Sequence, residues 1–285
     1  MSKVDKIAVT GATGQLGSRV ARLLAEREVP QRLIVRDAGR APSLPGAEVA
    51  QASYEQGFRE ALSGVSTLFL VSGHEGLHRM AEHRAAVRAA AEAGVDRVVY
   101  TSFMGAAPLA SFTFAREHME TERLIADAGL RLTSLRSTLY ADVAPHFVGA
   151  DGVLRGPAGR GRIAWVARTD IARLAAEVLL DDAHAGQVYD VSGPEAIDFD
   201  ETARALSAVA GREITYHAET EAEARASRAG AEEWEIDGWV GSYLGVATGE
   251  MSVTSHTIEF VTGRRPWTFP EFLQAEPEAW RHLAP

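Results

Sequence analysis

A chain of 285 residues, 46% hydrophobic and 24% charged, has room for one large α/β core or a core with a smaller appendage, and its composition excludes disorder. A formal net charge of −10 offers no basic field to nucleic acid or anionic lipid, and no apolar run is long enough to cross a bilayer. With no cysteine, disulfides, thiolate metal sites and cysteine nucleophiles fall away together; none of the nine histidines has a tight ligand spacing, and no metal is expected.

The start, MSKVDK, carries no apolar leader, so a cytoplasmic protein is expected. Ile7, Ala8 and Val9 read as a buried strand, and Leu16, Val20, Leu23 and Leu24 recur at helical spacing after it. Between them Gly11, Gly14 and Gly17 are spaced GxxGxxG, each lacking a Cβ where one would obstruct the turn, an approaching pyrophosphate, or helix-on-strand packing. Strand, glycine turn and helix together form a dinucleotide cradle, with the helix N-terminus facing the anion. No Gly-Lys-Ser/Thr follows, so a triphosphate-binding P-loop is excluded.

Gln31–Arg36 is the second strand, and Arg36 ends it where a dinucleotide fold meets the adenosine ribose. A guanidinium there pairs with a 2′-phosphate, which favours NADP(H) over NAD(H). Asp37 follows, and either serves the ribose hydroxyl itself or opens the turn at Ala38 and Gly39. Glu48–Ala52 is a third strand, Gln56–Leu62 a helix, and Thr67–Val71 a fourth strand ending in the small-residue loop Ser72-Gly73.

A helix over 77–93 closes at Gly94, and His78 and His83 within it are off a shared face. Strand 97–101 leads to Ser102, which either hydrogen-bonds a substrate oxygen or caps the next segment, and to Phe103, placed to cover a nicotinamide face. A helix over 117–128, a strand over 131–136, a helix begun at Asp170 and capped by Thr169, a strand over 189–191 and a helix capped by Asp198 complete the pattern.

The fold class is therefore α/β, a Rossmann-like doubly wound parallel sheet with a small C-terminal α/β substrate domain. The nucleotide domain is expected over 1–150, with strand and helix returns near 163–192, and the substrate region over 193–285. There, EAEARASRAGAEEWE reads as one charged helical segment. Trp234, Trp239, Tyr243, Trp267, Phe269 and Phe272 either line a pocket for a flat ligand or pack one domain on the other.

TGATGQLG, the arginine ending the second strand, RVVYTS, FAREHMETERLIADAGL and the closing GRRPWTFPEFL resemble the NmrA-like group of atypical short-chain dehydrogenases/reductases, within it the type 2 NAD(P)H:quinone oxidoreductases. The resemblance implies a cofactor held by Gly11, Thr13, Gly14, Gln15, Leu16, Arg36, Ser72 and Gly73. One departure stands out. The wider superfamily reduces carbonyls with a YxxxK pair; aligned on the downstream MET-E stretch, Phe114 takes the tyrosine position and His118 the lysine position.

Phenylalanine donates no proton. His118 then supplies or relays one, or orients the ribose and nicotinamide amide, or is an exposed helix histidine. Tyr140 either reaches the nicotinamide side or is simply half-buried. Hydride transfer to a quinone or polycyclic aromatic tolerates a weak acid, and a small aromatic substrate is expected. Two alternatives stay open: tailoring reduction or oxygenation of an aromatic polyketide-like substrate, and a non-catalytic NADP(H) sensor with a protein partner. Monomer and homodimer both stay open, since no heptad or exposed apolar stripe decides between them.

Overall fold

The computed structural model describes residues 6–284; Met1 to Asp5, on which the leader-free reading partly rests, and Pro285 lie outside them. The first half of the chain alternates strand and helix: β1 (Ile7–Thr10), α1 (Gln15–Glu26), β2 (Gln31–Val35), β3 (Ala47–Gln51), α2 (Phe58–Ala61), β4 (Thr67–Leu70), α3 (Arg79–Glu92), β5 (Arg97–Phe103), α4 (Thr113–Asp127) and β6 (Arg131–Ser137). Then follow β7 (Val153–Gly156), β8 (Arg162–Ile163), α5 (Arg168–Leu180), β9 (Val188–Val191), β10 (Ile197–Asp198), α6 (Phe199–Ala210), β11 (Thr215–Ala218), α7 (Glu221–Ser227), α8 (Glu233–Ala247), α9 (Thr257–Thr262) and α10 (Phe269–Ala275).

Seven strands form one sheet in the order β3-β2-β1-β4-β5-β6-β9. β1 pairs in parallel with β2 on one side and β4 on the other, β2 with β3, and β4 with β5. β1, β4 and β5 are buried along their whole length, as strands covered by helices on both faces must be. The strand order reverses at β1, so this Rossmann-like sheet has its switch point where the glycine turn begins.

The chain forms two compact units, one of residues up to Ser102 with Glu117–Arg136 and Ile171–Tyr189, the other of Phe103–Arg116, Ser137–Asp170 and everything from Asp190. These units do not follow the expected division at 150 and 193. β5, α4 and β6 each run from one unit into the other, so a chain-order boundary misses the segments 103–116 and 137–150. The second unit is correspondingly larger than a C-terminal appendage, and holds two short sheets, parallel β7–β11 and antiparallel β8–β10.

In the first unit the buried guanidinium of Arg97 donates to the carbonyls of Val178 and Asp181 at the C-terminal end of α5, at 2.6 and 3.1 Å. Donors and positive charge suit a helix C-terminus. In the second unit Asp198 and Glu201 form the capping box that opens α6. Helix α5 begins at Arg168 rather than Asp170; Thr169 hydrogen-bonds Glu276, and Asp170 accepts from the Trp267 N–H at 2.9 Å.

The charged segment read as one helix is two, α7 and α8, separated around Gly230, with Glu232 and Glu235 forming a new capping box for α8. Tyr243, Phe269 and Phe272 belong to the hydrophobic core of the second unit, with Trp234 and Trp267 packed against it and Trp239 exposed. All but Trp239 thus pack in or against an interior.

Candidate active site

The glycine turn does what its spacing requires. Gly11 lies at φ 63°, in the left-handed region, and a Cβ on Gly17 would stand 2.3 Å from the Gly11 carbonyl oxygen and 2.6 Å from that of Thr10. Helix and turn therefore meet backbone to backbone. Thr13, Gly14 and Gln15 are exposed at the mouth of the turn, while Leu16 is buried behind it.

Gly14 is the N-cap of α1 and has no side chain to offer, and no acidic residue stands in the first turn. Helices α6, α7, α8 and α10, by contrast, all close their N-termini with capping boxes. The first N–H groups of α1 are thus left to an anion, at the C-terminal end of the switch-point strand, which is the fit a dinucleotide pyrophosphate requires.

Arg36, exposed just past β2, has Nη2 3.4 Å from Nε2 of His74. Asp37 is turned away from this pair: its carboxylate accepts from the Gly39 N–H at 2.9 Å and caps a 3-10 turn over Ala38–Arg40. Of the two roles open to Asp37, turn-opening is the one its geometry performs.

The loop after β4 is held by side chains from all around it. Val71 N–H donates to Thr10 Oγ1 at 2.8 Å and its carbonyl accepts from the Tyr54 hydroxyl; Ser72 N–H donates to Thr101 Oγ1 at 2.8 Å. Gly73 N–H donates to Nε2 of His83 at 2.9 Å, and its carbonyl accepts from Nε of Arg79 at 3.2 Å. Ser72 and Gly73 thereby present a backbone of fixed orientation. Sequence reasoning singled out neither Thr10, Tyr54, Thr101 and Arg79 nor this role of His83.

Arg79 reaches further. Its guanidinium, 3% exposed, also donates to Glu117 and to Nε2 of His118 at 3.0 Å. A guanidinium only donates, so Nε2 of His118 is the accepting nitrogen; Nδ1, 2.8 Å from the Tyr100 hydroxyl, carries the proton and donates it there. Burial, then the positive charge of Arg79, then His83 hold His118 well below the usual histidine range. His118 is buried and neutral, with both ring nitrogens engaged. It is not an exposed helix histidine, and this arrangement leaves it no proton to give a substrate.

One turn along α4, Glu122 accepts from Ser102 at 2.6 Å, Ser134 at 2.5 Å and Nε of Arg136 at 2.9 Å. Burial alone would raise this carboxyl, but the bonds from Arg136, Ser102 and Ser134 outweigh it and hold the group below its ordinary value. The Ser102 hydroxyl donates to Glu122 rather than capping the following segment. Helical spacing from His118 was the available signal for Glu122.

The remaining candidates lie in the second unit. Phe103 is buried in the hydrophobic core of the second unit, its ring 4.9 Å from that of Phe112. Phe114 packs at 5.5 Å from Phe112 and 6.4 Å from Trp234. Tyr140 is half-buried, and the Arg168 guanidinium stands 4.5 Å over its ring, itself paired with Asp142. Among the described residues no cluster of three His, Asp or Glu side chains could hold a metal, and no helix is long and apolar enough to cross a membrane.

The model of the NmrA-like family matches residues 3–226. Quinone oxidoreductase 2 of Escherichia coli (strain K12) is 35% identical over 279 residues, 93% of this chain and 96% of that one. NAD(P)H azoreductase of Xenophilus azovorans is 32% identical over 286 residues, 96% of this chain and 99% of that one.

Among solved structures, an NADPH-dependent quinone oxidoreductase from Escherichia coli, complexed with NADPH, is similar with a TM-score of 0.85 at 34% identity, covering 94% of this chain and 99% of that chain. Triphenylmethane reductase of Citrobacter sp., complexed with NADP(H), has a TM-score of 0.82 at 30% identity over 94% and 99%. With the family model matched over most of its length, a glycine cradle at the switch point and relatives aligned nearly end to end, the chain belongs to the NmrA-like family.

Proposed function

We propose that the protein is an NADPH-dependent oxidoreductase that reduces quinones or related conjugated aromatic electrophiles without a tyrosine proton donor. The observation that carries this is the uncapped start of α1 on a turn where Gly17 admits no Cβ, a cradle for a dinucleotide pyrophosphate. Arg36, with Asp37 turned to Gly39, supports the 2′-phosphorylated cofactor over NADH. The relatives named for quinone, azo and triphenylmethane substrates support an acceptor with an extended electron-poor π-system.

Bound there, the reduced nicotinamide supplies the hydride. The residues of the chain bind and orient. Gly11, Gly14 and the first turn of α1 take the pyrophosphate, Arg36 the adenosine end, and the Ser72-Gly73 backbone forms a wall fixed by His83 and Arg79. His118, tied to Arg79 and Tyr100, is a positioning residue, and Ser102 is set in place by Glu122. The anion formed when hydride adds to a quinone is a weak base, so water suffices as the proton source and no phenol is required at Phe114.

Stopped-flow loss of NADPH absorbance with a panel of quinones, azo dyes and polycyclic hydroxyaromatics tests this reading, with turnover expected for at least one class. Tight NADPH binding without turnover across the panel would replace it with a sensor. NADPH consumption confined to hydroxyaromatics and scaling with oxygen would favour tailoring of a polyketide-like substrate.

A further inference from the structure

The Arg36–His74 contact joins the ends of two strands that flank β1, and neither side chain is buried. A dinucleotide whose pyrophosphate rests on α1 brings its adenosine ribose to the end of β2, beside Arg36. The guanidinium shares one N–H with the imidazole. We propose that His74 is a specificity-determining residue, its ring completing with Arg36 the binding site for the 2′-phosphate monoester of NADP(H). The proposal rests on the dinucleotide reading above and adds to it a residue from a different strand end.

The chemistry of the two groups suits one dianion. Arg36 gives a planar fork of donors, and the neutral imidazole can carry its one proton on either ring nitrogen, so the nitrogen that now accepts from the guanidinium can be a second donor. A ribose 2′-hydroxyl would gain only a neutral hydrogen bond from the same ring, so His74 discriminates between cofactors rather than binding both alike.

His74 also stands in a prepared place. Both polar groups of the preceding Gly73 are held, by His83 and Arg79, and a Cβ on Gly73 would approach Oε2 of Glu82 to 3.1 Å and Nε2 of His83 to 3.3 Å. The backbone that carries the ring is therefore pinned from below. Asp37, the acid that would repel a phosphate here and welcome a hydroxyl, is occupied by the Gly39 N–H.

Titration of the full chain with NADPH and with NADH, followed by calorimetry, tests the proposal. His74→Ala is expected to weaken NADPH about tenfold, as loss of one charge-assisted hydrogen bond does, with NADH changed by less than about twofold; the unchanged NADH affinity certifies the fold. His74→Gln, which keeps an N–H donor, recovers part of the loss, and His74→Glu lowers the NADPH to NADH preference further than alanine does. An unchanged preference in His74→Ala overturns the proposal, as does equal weakening of both cofactors, which would place the ring on the shared adenosine. A wild-type chain that binds NADH as tightly as NADPH overturns the cofactor reading itself, and this inference with it, before any variant is compared.

Discussion

Replacing His83 by leucine asks whether the loop Val71–Ser72–Gly73 is held ready for a ligand by the buried side chains beneath it. Leucine occupies comparable space but neither accepts the Gly73 N–H, now 2.9 Å from Nε2, nor donates to Thr121, now 2.8 Å from Nδ1. A buried N–H left without an acceptor costs about 1–3 kcal/mol. Gly73 is only half-buried, so water recovers part of this, and about 1.5 kcal/mol is the expected net penalty on the loop in its present conformation. With the held and released loops near balance, that free energy lowers the population of the held loop and raises the apparent Kd for NADPH by nearly tenfold. His83→Gln restores an acceptor near the position of Nε2 and is expected to bind NADPH within about threefold of wild type. Calorimetry gives both affinities, and thermal unfolding without ligand reports the fold. An affinity in His83→Leu within twofold of wild type would refute the reasoning; so would a glutamine variant no better than leucine, since volume rather than the acceptor would then matter.

Other outcomes follow from the same geometry. Gly17→Ala forces a Cβ to within 2.3 Å of the Gly11 carbonyl oxygen, whereas Gly14→Ala meets that oxygen at 3.2 Å; the first is expected to lose about 2–3 kcal/mol of stability and NADPH binding together, the second chiefly binding, as unfolding curves with and without NADPH would resolve. Glu122→Gln removes the carboxylate paired with the half-buried Arg136 guanidinium and should lower the unfolding free energy by about 2–3 kcal/mol, read as a lower denaturant midpoint at unchanged slope. Acid should destabilise the protein early. Burial, assisted by Arg79, depresses His83 to about 3 and holds His118 below its usual range, so both are neutral when folded and take up protons on unfolding. Their contribution is fully present above about pH 6.5 and is lost below it at about 1.4 kcal/mol per pH unit for each histidine. Stability measured from pH 7 to 5 should fall less steeply for His83→Gln than for wild type, and equal slopes would refute the assignment.

How far the sequence discloses this site depends on how local the determining interactions are. The GxxGxxG turn, the Asp198 cap and the run of parallel strands are legible because a few neighbouring residues fix the backbone there. Asp37 was ambiguous from sequence because both of its roles use the same carboxylate; only the direction of that carboxylate, toward Gly39, separates them. Arg79 and His118 are 39 residues apart, and nothing in either local pattern says that a guanidinium on α3 will take the lone pair of an imidazole on α4. The break between α7 and α8 has a local signal, Gly230, set among alanine, glutamate and arginine residues that favour a continuous helix.

The exchange of the expected tyrosine and lysine for Phe114 and His118 is best understood as a change in where charge and protons are kept. A YxxxK site holds an acidic proton and a cation beside the reacting atoms. Here the phenyl ring at 114 packs with Phe112 and Trp234, and the cation belongs to Arg79, buried and shared between the Gly73 carbonyl, Glu117 and His118. His118, which inherits the lysine position, is neutral and spends its one proton on Tyr100. Arg79, His118 and Glu122 thus spend these hydrogen bonds on holding neighbours still rather than on a proton for an alkoxide. A simple ketone needs that proton as hydride arrives; a quinone, whose ring delocalises the new charge, does not. The same network supplies fixed geometry, and in the proposed reaction the acceptor brings the electrophilicity while the chain contributes orientation.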